Sequence, residues 1–143
     1  MMTDANHKNR LPPCYGIIPA RYESKRFPGK PLADILGKPM ILHVYEKARQ
    51  CTRLTAVFLA TDDDRIRLVA EKWDIPVVMT STAHPSGTDR VMEAAAKLNL
   101  PPDSVVVNIQ GDEPFIDPKA ITTLSETFKK PEIGIATLIK KIT

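Results

Sequence analysis

Apolar residues along this chain fall into short continuous runs, separated by stretches in which they recur every three or four positions. Residues 14–19 form the first run, a buried strand ending at Pro19. Ile41, Val44, Tyr45 and Ala48 sit at i, i+3, i+4 and i+7 and predict an amphipathic helix over 40–50, with Pro39 at its first position. Residues 55–60 predict a second strand, and Thr61 or Asp62 is expected to cap a helix over 63–73. A third strand is expected at 76–79 and a third helix at 87–98, with Val91, Ala95 and Leu98 on one face. Residues 104–109 are apolar on both faces, a fourth buried strand, and a polar turn follows at 111–114. A helix over 118–129 and a strand near 133–139 complete the pattern. Residues 20–31 read as a loop and 34–37 as a turn, while Trp73 and Met79 are expected in the core.

Strands that alternate with helices, and that are apolar on both faces, predict an α/β fold with a mostly parallel sheet covered on each side. Composition agrees with an ordinary domain. The 143 residues are 43% hydrophobic and 26% charged, which excludes a disordered, collagen-like or membrane-spanning chain. Cys14 and Cys51 are the two cysteines, too few for a disulfide framework or a four-ligand zinc site, so a reduced, cytoplasmic protein is expected. Residues 1–13 read as a flexible tail, since they fit neither a secretory signal nor an Arg-rich transit peptide.

The formal charge of +3 is modest, but its placement is uneven. Arg21, Lys25, Arg26 and Lys30 crowd into one loop, opposed locally by Glu23 alone. A nucleic-acid binder spreads its basic excess over a face and adds aromatic platforms, so no nucleic-acid partner and no membrane are expected. Like charges in so short a loop repel unless an anion relieves them, which points to a compact polyanion. A Walker loop does not explain it, because Gly29-Lys30 and Gly37-Lys38 are each followed by proline, and no Gly-x-Gly-x2-Gly stretch exists. Arg21 and Arg26 are suited to fork onto phosphate oxygens, with Lys30 as a point charge.

Two further loops leave strand ends and are expected to converge with the cationic one at the carboxyl edge of the sheet. Asp112 and Glu113 after the fourth strand suit a hard cation that also touches phosphate, although a turn with solvated acids explains the tetrapeptide alone. Ser86-Gly87-Thr88-Asp89-Arg90 opens a helix, where Ser86 or Thr88 caps it or backbone amides meet an anion or a base edge. His43 and His84 read as structural, and Asp62-Asp63-Asp64 as a helix cap with first-turn acids.

Taken in order, several motifs identify a family. Ile17-Ile18-Pro19-Ala20-Arg21, Ser24, Arg26, Pro28-Gly29-Lys30-Pro31-Leu32 and Gly37-Lys38-Pro39-Met40-Ile41 resemble the opening of the 3-deoxy-manno-octulosonate cytidylyltransferases (CMP-Kdo synthetases). Ala60-Thr61-Asp62-Asp63, Met79-Thr80, Ser86-Gly87-Thr88-Asp89-Arg90 and Val107-Asn108-x-Gln110-Gly111-Asp112-Glu113-Pro114 continue the likeness. The resemblance implies a three-layer Rossmann-like nucleotidyltransferase fold, with residues 14–143 as its nucleotide-binding portion and the C-terminal part missing. It implies transfer of CMP from CTP to Kdo, with Mg²⁺ as cofactor, for lipopolysaccharide biosynthesis. By position, Arg21, Lys30 and Asp112 would be catalytic, with Asp112 the metal ligand. Pro19, Ala20, Ser24, Arg26, Ser86, Gly87, Thr88 and Arg90 would join Arg21 and Lys30 around the nucleotide, and Gln110 would face the sugar. A homodimer is expected of the full-length form. The acceptor could equally be 8-amino-Kdo or a sialic-acid relative, and a non-catalytic nucleotide-binding or assembly module remains the alternative from another class.

Overall fold

The structure, a computed structural model, describes residues 12–23, 28–82, 86–111, 117–126 and 135–137. Its centre is a five-stranded parallel sheet of β1 (Cys14–Ala20), β4 (Ala56–Thr61), β5 (Val77–Met79), β6 (Val105–Asn108) and β7 (Ile135–Thr137), in the order β5-β4-β1-β6-β7. A small antiparallel pair, β2 (Asp34–Ile35) and β3 (Lys38–Pro39), lies outside it. The helices are α1 (Met40–Arg49), α2 (Asp64–Lys72), α3 (Gly87–Lys97) and α4 (Pro118–Glu126).

The continuous apolar runs are buried on both faces, as a parallel sheet between helices requires. Ile18, Leu59, Val105, Val107 and Ile109 pack with Ile41 and Val44 of α1, Ile66 and Ala70 of α2 and Ile121 of α4. Ile17, Ala60 and Val106 face the other way, onto Val91 and Ala94 of α3. The three layers expected from the sequence are therefore present. Each fully buried isoleucine contributes roughly 1.5–3 kcal/mol of burial free energy, so the two faces of β1 alone tie three elements together.

Several boundaries differ from the sequence reading for local reasons. β1 continues through Pro19 to Ala20, although a proline has no N–H for a ladder. Pairing with β6 ends at Ile17↔Asn108, and Ile17 O accepts from Ile109 N on that side. Pro19, two residues on, turns the same way, where the ladder has already ended, so no hydrogen bond is lost. Residues 34–37 do not make a simple turn; Leu36 and Gly37, with φ of 54° and 87°, are the tip of the β2–β3 hairpin. Pro39 belongs to β3 and precedes the first helical residue, Met40. His43 Nε2 donates to Ile35 O, and Lys38 Nζ reaches Glu46 at 3.2 Å, so the hairpin is tied to α1. Of the expected tail, residues 1–11 lie outside the described residues; Pro12 is buried and its carbonyl accepts from Arg53, while Pro13 O accepts from Val105 N.

The cap of α2 is Asp63 rather than Thr61 or Asp62. Its carboxylate accepts from Arg65 N and Ile66 N. Trp73, expected in the core, is 37% exposed where α2 ends, and Met79 on the edge strand β5 is half-buried. Asn99 closes α3 with φ of 50°, a left-handed stop that asparagine tolerates.

The Asp63 carboxyl is held below its ordinary value of 3.8, first by the hydrogen bond from the Arg65 side chain and then by the backbone donors at Ile66 and Arg65, against the opposing effect of burial. A lowered folded pKa contributes stability above the unfolded value that is lost as pH falls through the folded one. Asp63→Ala is expected to cost about 1 kcal/mol of unfolding free energy at pH 7. In urea titrations the gap between variant and parent should narrow progressively below pH 3.8; a gap independent of pH would contradict the capping assignment.

Candidate functional site

The strand order reverses at β1: the chain moves out through β4 and β5, then returns to the opposite side of β1 as β6. The ladder between β1 and β6 ends there at Ile17↔Asn108, and the carboxyl edge at such a switch point is where open parallel sheets bind ligands. A cavity of about 200 Å³ occupies the position, lined by Pro19, Ala20 and Arg21 at the end of β1, Glu23, Lys30, Pro31 and Met40 beyond it, and Gln110 and Gly111 after β6. A second cavity, about 420 Å³, adjoins it through Arg21 and Glu23 and is completed by Tyr22, Asp62, Asp63, Thr82 and Arg90.

Close packing holds the walls together. A Cβ on Gly111 would lie 2.8 Å from Pro19 O, a backbone atom that cannot yield, so glycine lets the loop after β6 approach the end of β1. Gly87 at the start of α3 lies against the other flank of Pro19, where an added Cβ would be 3.3 Å from the ring. Asn108 Nδ2 donates to Thr88 Oγ1 at 3.5 Å, joining β6 to the same turn of α3. Thus the three loops that the sequence singled out do meet around Pro19.

The predicted residues divide between these surfaces. Pro19, Ala20, Arg21, Lys30 and Gln110 share the first cavity. Arg90 lines the second, but its guanidinium is only 2% exposed. Its Nη1 donates to Thr80 Oγ1 at 2.5 Å and to Ser81 O at 3.3 Å, and lies 3.7 Å from Asp62 Oδ1. Arg90 therefore bolts the ends of β4 and β5 to α3. Ser86 Oγ accepts from Asp89 N and donates to Asp89 Oδ2, so its side chain is committed to the helix cap. Gly87 and Thr88 stand beside Pro19 and Asn108, and line neither cavity. Ser24, Arg26 and Asp112, with Lys25, Glu113, Pro114 and His84, lie outside the described residues.

Sequence reasoning missed several contributors. Asn108 is 3% exposed, and its Oδ1 has no hydrogen-bond partner among the described residues. A lone asparagine at a strand end carries no signal until its neighbours are known. Asp62, read as part of a cap, is instead the anionic partner of Arg90. The contacts of Thr80 with Arg90 and of Tyr22 with Arg65 were also missed, because the groups they meet are distant in sequence.

Chemically, the first cavity offers two cations, one carboxylate, one carboxamide and the backbone of two strand ends; its cations suit phosphate oxygens. Among the described residues, no group of three or more His, Cys, Asp or Glu is placed to hold a metal ion. No helix among them is long and apolar enough to cross a membrane.

A family model described as cytidylyltransferase matches residues 15–143. Over 125 residues the chain is 58% identical to the 3-deoxy-manno-octulosonate cytidylyltransferase of Nitratidesulfovibrio vulgaris strain Hildenborough, covering 87% of this chain and 50% of that protein. It is 54% identical over 129 residues to the 8-amino-3,8-dideoxy-manno-octulosonate cytidylyltransferase of Shewanella sediminis, covering 89% and 53%. Among solved structures it resembles a CMP:2-keto-3-deoxy-manno-octonic acid synthetase complexed with CTP, with a TM-score of 0.76 and 45% identity over 80% of this chain and 46% of that one. The chain spans about half the length of the curated relatives it matches.

Arg90→Leu is expected to lower the unfolding free energy by roughly 2–4 kcal/mol, because Asp62 and Thr80 would be left without their buried partner. Urea unfolding measures it, and a change below about 0.5 kcal/mol, the size of an ordinary surface substitution, would contradict the bolt.

Proposed function

The chain belongs to the cytidylyltransferase family, and on that premise we propose that it carries the nucleotide site of an enzyme transferring CMP from CTP to 3-deoxy-D-manno-octulosonate. The observation that carries this reading is the meeting of Arg21, Lys30, Gln110 and Gly111 in one cavity at the strand-order switch. Arg21 forks onto the triphosphate, and Lys30 neutralises charge that builds on the departing pyrophosphate. The anomeric hydroxyl of the sugar forms the new bond to the α-phosphorus as the bond to pyrophosphate breaks. Fixing these groups in line supplies much of the acceleration in such a reaction. Gln110 orients the sugar from the β6 side. The second cavity, with Thr82, Asp62 and the edge of Arg90, offers the neighbouring polar surface for ribose and base.

A magnesium site fits the oxygen chemistry proposed here. Magnesium is commonly held by one or two carboxylates plus substrate phosphates, so it needs no preformed cluster of three protein ligands. Asp112, bonded to the cavity residue Gly111, would be its ligand. Bound there, the ion would act as a Lewis acid and template for the phosphates. Ser24 and Arg26 are retained as further nucleotide contacts. In the cell we place this activity in the cytoplasm, in a homodimeric enzyme supplying activated sugar for lipopolysaccharide.

A second reading, with the 8-amino sugar as acceptor, is favoured by the Shewanella sediminis likeness at 54% identity. Turnover assays of the gene product with each sugar separate the two.

Calorimetric titration of the chain with CTP and Mg²⁺ tests the nucleotide site. Lys30→Ala and Arg21→Ala should each weaken CTP binding roughly tenfold or more, since each removes a charge-assisted contact. Equal affinity in parent and Lys30→Ala would remove the basis of the proposal. Asp112→Asn should bind CTP with an affinity that no longer responds to Mg²⁺.

A further inference from the structure

Arg21 and Lys30 stand at the two ends of a loop whose like charges oppose its closing, so something must hold the ends together. The backbone does part of this. Gly29 N donates to Tyr22 O at 2.7 Å, which brings the residue after Arg21 against the residue before Lys30. Gly29 has φ of +73°, and a Cβ there would lie 3.0 Å from carbons of the Tyr22 ring, so glycine serves both the turn and the approach. Lys30 then enters a 3-10 turn in which Leu32 N donates to Gly29 O and Ala33 N to Lys30 O.

The Tyr22 ring carries the contact outward. The guanidinium carbon of Arg65, on the first turn of α2, lies 3.3 Å from the ring centroid. Arg65 is itself fixed by a two-point hydrogen bond, with Nε to Asp63 Oδ1 at 3.1 Å and Nη2 to Asp63 Oδ2 at 2.6 Å. Asp63 in turn caps α2 through Arg65 N and Ile66 N. A continuous chain of contacts thus runs from a helix N-terminus, through a planar cation and an aromatic face, to the hinge points of the cationic loop.

We propose that Arg65 and Tyr22 are positioning residues for the polyphosphate end of the nucleotide. Stacked on each other and anchored by Asp63, they set the spacing of Arg21 and Lys30 before the ligand arrives. The inference rests on the nucleotide reading above and deepens it, since it assigns a role to Arg65, which lines neither cavity. Pre-set spacing lowers the ordering cost that two long cationic side chains would otherwise incur on binding. Arg65, which lines neither cavity, therefore acts on phosphate affinity and leaves the nucleoside end unaffected.

Calorimetry with CTP and, separately, with cytidine tests this, with thermal melting of every variant. Arg65→Ala and Tyr22→Leu should each weaken CTP roughly three- to ten-fold, the range of a lost cation–π contact, and Arg65→Ala, at a residue that lines neither cavity, should leave cytidine affinity unchanged. Tyr22→Leu keeps the charge of the region, so its loss separates positioning from simple removal of a cation. The double variant should lose no more than either single one, because both break one contact. Tyr22→Phe should behave as the parent. So should Arg67→Ala, which removes a cation of the same helix that pairs with Asp64 and Glu71. Unchanged CTP affinity in Tyr22→Leu overturns the proposal, as does an equal loss for CTP and cytidine in Arg65→Ala. A parent chain that binds neither ligand overturns the nucleotide reading, and this inference with it.

Discussion

Parallel pairing of β1 with a strand on either side is the constraint on which the site depends. A parallel neighbour cannot be reached by a tight turn, so each crossover returns the chain over a face of the sheet. Because β4 and β6 flank β1 in opposite directions, their following loops part at one edge and leave a crevice. The fully buried Ile17 and Ile18 lock β1 between the helical layers, and the end of the strand is thereby a fixed platform. Pro19, Ala20 and Arg21 project from this platform into the cavity, while Gly111 packs directly upon it.

Around the platform, the molecule uses two kinds of attachment. On the α3 side the attachment is buried and polar, with Arg90 gathering Thr80, Ser81 and Asp62. Buried charge of this kind gives one well-defined arrangement, since any other would strand a charge away from water. On the cationic-loop side it is exposed, made of an aromatic ring, a guanidinium and a helix cap. Exposed contacts are individually weak, so this wall is held less firmly than the other. One wall is therefore set by folding, and the other is biased by it.

Much of this was legible in the sequence because it rests on periodicity and on local chemistry. Ile41, Val44, Tyr45 and Ala48 mark a helix face without any knowledge of what covers it. Pro28-Gly29-Lys30-Pro31 announces a stiff cationic loop in the same way. The misreadings share a cause, which is that the deciding partner lies far away in the chain. Pro19 was expected to stop β1, and it does not, because β6 has already left the ladder beside it. Asp63 takes the cap that Thr61 or Asp62 was expected to supply, and Asp62 is drawn to Arg90 instead. Trp73, large and aromatic, was expected inside, but the end of α2 leaves it partly uncovered. The convergence of Arg21, Lys30 and Gln110 was inferable from polar loops that leave the carboxyl ends of parallel strands, whereas the stack of Tyr22 on Arg65 was not.

The proline inside the central strand gives the crevice a polarity of its own. Where any other residue would turn an N–H toward the departing β6, Pro19 turns only ring carbons, and the carbonyl beside them is an acceptor. The end of β1 thus lacks one backbone donor, in the same cavity that Arg21 and Lys30 line. What a ligand meets there is set by which backbone group is missing as much as by which side chains are present.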